Sequence, residues 1–153
     1  MKNRILRKLV KLTPILLVSI FIGMQFVPAP AVPKTLTPRP HTAEMIDPQI
    51  GKILDRSCQD CHSNRTAWPW YSHVAPASWL VTHDVNDGRR HMNFSTWNRM
   101  APDKQASRLR DAWEEIESGG MPLWYYLPLH SAARLSDADK QLLHGWIQST
   151  SGR

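Results

Sequence analysis

Cys58-Gln59-Asp60-Cys61-His62 gathers both cysteines of the 153-residue chain into one C-x-x-C-H stretch. This spacing is the attachment pattern of a c-type haem. Each thiol adds across a porphyrin vinyl group to form a thioether, and the adjacent histidine becomes the proximal ligand of the iron. Two other chemistries use a C-x-x-C. A redox dithiol needs a βαβ setting, and no run here alternates as a strand does. Zinc needs two further ligands, for which only scattered histidines such as His73, His83 and His91 are on offer, without a second pair at finger spacing. A disulfide between cysteines three apart closes too small a loop to gain much chain entropy.

The amino terminus points to the same chemistry. Lys2, Arg4, Arg7, Lys8 and Lys11 come with no acid, and Leu12 to Val27 is nearly all apolar, the form of an export segment. Ala29-Pro30-Ala31 has the small-x-small form of a cleavage site, although its prolines suit it poorly. The apolar run is slightly shorter than the roughly 20 residues of a comfortable bilayer crossing. Residues 1–31 therefore read as a signal peptide or a membrane anchor, with a possible tether through 12–27. The basic start keeps that end cytoplasmic, so the remainder is expected on the periplasmic side, soluble after cleavage or anchored to the inner membrane.

All 13 acidic residues follow residue 31, whereas five of the 19 lysines and arginines precede it. The exported part is nearly neutral, which excludes the concentrated basic face of a nucleic-acid binder. Residues 32–43 continue a run containing Pro28, Pro30, Pro33, Pro38 and Pro40, a stiff linker. Residues 44–150 remain as one small domain.

Four helices are expected in it. Asp47-Pro48 is a cap followed by a first-turn proline, and Ile50, Ile53 and Leu54 form a stripe leading into Cys58. A short helix is expected from about Pro76 to Asp87, stopped by Gly88. Another runs from about Pro102 to Ser118, with Leu109, Ala112, Trp113 and Ile116 inward and Gly119-Gly120 ending it. Ser136 to Asp139 resembles a capping box before Leu142, Leu143, Trp146 and Ile147. The expected class is all-α, a small cytochrome c-like helical domain wrapped round one haem.

This order of helix, C-x-x-C-H, internal helices, Met-Pro and final helix resembles class I cytochromes c. The chain is more similar to the haem-binding domain family of small exported monohaem proteins. Three segments carry that resemblance: Cys58 to Asn64 running into Trp68-Pro69-Trp70-Tyr71-Ser72; Ala75-Pro76, Ser78-Trp79, Gly88-Arg89 and Asn93-Phe94-Ser95-Thr96-Trp97; and Met121-Pro122-Leu123 with Leu129-His130. Ser131 departs from the proline expected after His130.

The candidate site is therefore Cys58, Cys61 and His62, with Met121 as the sixth ligand of the iron. Met121 follows a Gly-Gly stop and precedes a proline, as the ligand methionine of class I cytochromes does, and a thioether opposite histidine raises the potential. His130 is the next candidate, then Met92, Met100 and His83. Pro69 or Pro76 would offer a carbonyl to the free ring nitrogen of His62. Asn64, Arg65 and Arg89 would neutralise the propionates, and Trp68, Trp70, Tyr71, Tyr125 and Tyr126 would line the porphyrin. The expected role is electron transfer with redox partner proteins of the periplasm or membrane, without catalysis. A haem sensor or a small peroxidase-like enzyme needs instead an open or labile sixth position, and a structural module of a respiratory complex is a third reading.

Overall fold

Proline after an N-cap at Pro48 and Pro102, apolar stripes at helical spacing and a left-handed glycine stop at Gly119 set out the helices of this chain. A computed structural model describes residues 2–33 and 47–151, with side chains placed for 10–33 and 47–150. The described residues are helical with no strand: α1 Lys2–Met24, α2 Pro48–Ser57, α3 Gln59–His62, α4 Ala77–His91, α5 Pro102–Ser118 and α6 Asp137–Ser151. Short 3₁₀ turns fall at Trp70–His73, Phe94–Arg99 and Ser131–Ala133. Most of the Pro-rich linker 32–43 lies outside the described residues. The all-α expectation holds.

The described chain forms two compact units. One comprises Met1–Val32 and Trp68–Asp84. Its helix α1 carries exposed Ile15, Leu16, Leu17, Val18 and Phe21. Among the described residues no helix is long and apolar enough to cross a membrane. The stretch after α1 is tied down by side chains. Gln25 Nε2 donates to the Ala75 carbonyl at 3.1 Å and Gln25 Oε1 accepts from the Ala75 N–H at 3.0 Å, while Trp79 Nε1 donates to the Val27 carbonyl at 3.1 Å.

The other unit, Pro33–Ala67 with Val85–Arg153, holds the C-x-x-C-H stretch. Asp47 caps α2 as expected, its Oδ1 accepting from the Gln49 N–H at 2.7 Å. Ile50, Ile53 and Leu54 on α2 form a buried core with Met92, Phe94, Ile116 of α5 and Leu143 of α6. Helix α5 begins at Pro102 and ends where Gly119 takes φ 81°, a left-handed turn that suits glycine. Of the stripe expected on α6, Leu143 and Ile147 are buried, whereas Leu142 faces outward.

Helix α4 differs from its expected length. It does not stop at Gly88 but continues to His91. Glycine is there for close approach: a Cβ at Gly88 would lie 2.9 Å from the Cys61 carbonyl oxygen and 3.2 Å from Cys61 Cβ. The expected stop at Gly88 is thus corrected: the glycine marks a close approach inside the helix, not its end.

Candidate haem site

Cys58 caps the end of α2, its N–H donating to the Leu54 carbonyl at 3.0 Å. The chain then makes one further helical turn, closed by the His62 N–H donating to the Cys58 carbonyl at 2.9 Å. Cys58, Cys61 and His62 thus stand at positions i, i+3 and i+4 of one turn, which share a face. Neither cysteine is in a disulfide. Burial and the neighbouring Cys61 push the Cys58 thiol up to about 12.

His62 is oriented by a carbonyl that sequence reading did not name. Its Nδ1 lies 3.1 Å from the Met92 carbonyl oxygen, so Nδ1 carries the proton and donates, which leaves Nε2 as the nitrogen able to ligate a metal. Met92 replaces the expected Pro69 or Pro76 in this role. Burial lowers the His62 pKa, favouring the neutral ring that can ligate a metal, although the bond to Met92 acts in the opposite direction.

A hydrogen-bonded network holds the segments on either side of that bond. Asn64 N–H donates to Ser95 Oγ at 2.9 Å, Asn93 Nδ2 donates to Asn64 Oδ1 at 2.9 Å, and the Ser95 N–H donates to Asn93 Oδ1 at 2.9 Å. Arg89 was expected at a propionate. Its Nε instead donates to the Ser63 carbonyl at 2.8 Å, its Nη2 to Thr66 Oγ1 at 3.1 Å and its Nη1 to the Pro33 carbonyl at 3.0 Å. It acts as a clamp on the peptide leaving the motif. Asn64 belongs to the network above, and Arg65 is exposed.

Met121 follows the left-handed turn at Gly119, and its N–H returns to the Glu115 carbonyl at 3.0 Å. Its side chain is half-buried against the core cluster that Cys58, Trp97 and Trp146 also pack on. The fold therefore brings Met121 and the first motif cysteine to the same core, across more than 60 residues of sequence. The other ligand candidates are placed differently. His130 stacks on Tyr126 with ring centroids 4.0 Å apart, Met92 is buried in the core, Met100 ends a 3₁₀ turn and His83 is exposed. Trp70 and Trp124 are exposed, each meeting a neighbouring tyrosine edge-on.

Tyr126 reaches into the motif itself, its hydroxyl donating to Asp60 Oδ2 at 2.9 Å. Asp60 Oδ1 accepts from the Ala67 N–H at 3.0 Å, and the Asp60 carbonyl accepts from Thr66 Oγ1 at 2.6 Å.

The donor set fits a haem: two cysteines outside any disulfide and one imidazole share a helical turn, and one nitrogen of the imidazole is already committed to a carbonyl. It fits zinc poorly, because zinc needs four ligands converging on one point, and among the described residues no group of three or more His, Cys, Asp or Glu side chains is placed to hold a metal ion by itself.

Comparison with known proteins agrees. Cytochrome c peroxidase Ccp of Escherichia coli (strain K12) is 25% identical over 101 residues, which are 64% of this chain and 22% of that protein. The chain thus spans about a fifth of that relative's length. No solved structure matches. The haem-binding domain family matches residues 19–149, nearly the whole chain, and the protein belongs to that family.

Proposed function

We propose that this protein is an exported monohaem c-type cytochrome that transfers electrons. Cys58 and Cys61 would hold the haem covalently, His62 Nε2 would be the proximal ligand of the iron and Met121 the ligand opposite. The observation that carries this reading is the Nδ1 bond of His62 to the Met92 carbonyl, in the same helical turn as two cysteines that form no disulfide. Bound haem supplies a one-electron couple, which requires no catalytic group from the chain.

The residues divide the work accordingly. The Met92 carbonyl holds the His62 ring and raises its basicity. Arg89 and the Asn64, Asn93 and Ser95 network keep the motif peptide and the Met92 carbonyl in fixed register. Ile53, Leu54, Trp97 and Trp146 supply an apolar wall.

The similarity to a cytochrome c peroxidase favours one alternative, a peroxide-reducing enzyme with an open sixth position. Optical spectra of the matured protein and of Met121→Ala separate the two. A six-coordinate ferric spectrum with the weak far-red band of an iron–methionine bond, lost in the variant, is expected. A parent that lacks the band and binds carbon monoxide readily when reduced would favour the peroxidase-like enzyme. Replacing both Cys58 and Cys61 by Ala should leave no haem on a denaturing gel, and haem retained there would refute covalent attachment.

The domain would function on the periplasmic side with its N-terminal segment still attached as a tether. Cleavage after Ala31 would remove Gln25 and Val27, and Ala75 is 4% exposed. Its N–H and carbonyl would exchange the Gln25 amide for water, a loss of about 0.5–1.5 kcal/mol for each hydrogen bond. The family match beginning at residue 19 also supports retention.

A further inference from the structure

Asp60 stands between the two motif cysteines and is held on three sides. Its Oδ1 and its carbonyl are fixed by Ala67 and Thr66, the latter in turn bonded to Arg89, while its Oδ2 receives the Tyr126 hydroxyl. Tyr126 belongs to the turn-rich segment that begins at Met121. In this segment the Tyr126 N–H donates to the Leu123 carbonyl at 3.0 Å, the Leu129 N–H to the Tyr126 carbonyl at 3.3 Å and the His130 N–H to the Leu127 carbonyl at 3.2 Å. The segment thus consists of successive short turns, and Tyr126 is five residues from Met121.

One hydrogen bond therefore joins the peptide that carries both thioether positions to the segment that carries the sixth-ligand candidate. A bond from a phenol to a carboxylate is charge-assisted and stronger than one between neutral groups. The bond is only part-buried, so it belongs to a layer that can open without unfolding the core.

We propose that the Tyr126–Asp60 hydrogen bond is a latch that positions Met121, holding segment 121–130 against the haem-bearing turn and setting how readily an outside ligand displaces the methionine. This rests on the reading of Met121 as sixth ligand. Tyr126 and Asp60 touch neither the iron nor a substrate in this scheme; they are positioning residues. The stacked Tyr126 and His130 rings stiffen the same segment, and Tyr126→Phe leaves that stack in place.

Imidazole titration of the ferric holoprotein, followed by the far-red band, tests this. Tyr126→Phe should keep the band without imidazole but lower the imidazole concentration for half displacement about tenfold, in line with loss of one charge-assisted bond. Asp60→Asn, which loses the charge and keeps one oxygen where Asp60 uses two, should shift the midpoint in the same direction as Tyr126→Phe. Tyr126→Phe combined with Asp60→Ala should be no worse than Asp60→Ala alone. An unchanged midpoint in Tyr126→Phe, or additive effects in the double variant, would overturn the latch. A Met121→Ala protein with the parent's spectrum would show instead that the ligand reading is at fault, and the latch would fall with it. Urea unfolding of each holoprotein separates a local change from a global one, because a latch shifts the imidazole midpoint by more than it shifts stability.

Discussion

Gly88 and Gly145 are both helical glycines, and their surroundings set them apart. A Cβ at Gly88 would press on the Cys61 backbone at 2.9 Å, whereas one at Gly145 would meet nothing within 4 Å. Alanine in a helix interior gains about 1 kcal/mol over glycine, but forced overpacking against backbone costs about 1–3 kcal/mol. Gly145→Ala should therefore raise stability by up to about 1 kcal/mol. Gly88→Ala should lower it by up to about 2 kcal/mol net and reduce the yield of haem-loaded protein, because the displaced atoms belong to the motif. Urea unfolding with the haem absorbance per mole of chain measures both. The same contrast shows a limit of sequence reading. Both glycines are visible in the chain, but only the approach of Cys61 gives Gly88 its role.

Among the helices, Arg56 near the end of α2 joins the motif helix to the start of α6. Its Nη2 meets Asp139 Oδ1 at 2.7 Å, and its Nη1 donates to the Ala132 and Arg134 carbonyls at 3.1 and 3.2 Å. Asp139 also closes the cap of α6, its Oδ2 accepting from the Ser136 N–H at 2.8 Å and the Ser136 hydroxyl at 2.6 Å. The Ser136 bonds first, and then Arg56, hold its carboxyl down from 3.8 to about 2. A depressed carboxylate stabilises the fold above its unfolded value and loses that contribution as pH falls through its folded value. Stability should thus decline as pH falls from about 4 to about 2. Asp139→Asn should be less stable than the parent at neutral pH, and the gap should close across that window in urea titrations at stepped pH. The α6 cap was legible as Ser136 to Asp139, a local signal. The partner Arg56 was not, since no periodicity links residues so far apart.

For the whole molecule, the proposal of export with a retained tether turns on which residues the mature chain keeps. The bonds of Gln25 and Val27 to Ala75 and Trp79 make the stretch after α1 part of one compact unit. Intact mass of the holoprotein purified from membranes should correspond to a chain that retains residue 25, and a mature terminus at Val32 would refute retention. Sequence alone left cleavage and anchoring open, because charge and apolar length describe export without saying what the segment touches afterwards. What the sequence determined by itself is whatever depends on near neighbours: the C-x-x-C-H turn, the Asp47-Pro48 start, the Pro102 to Ser118 helix with its glycine stop, and the all-α class. Tertiary structure decided the rest. It chose the Met92 carbonyl for His62 across 30 residues, gave Gly88 to Cys61, and joined Asp60 to Tyr126 across 66 residues. The reason is physical: caps and helical stripes are set within a turn or two of chain, whereas a carbonyl or a hydroxyl carries no mark of its distant partner until packing brings the two together.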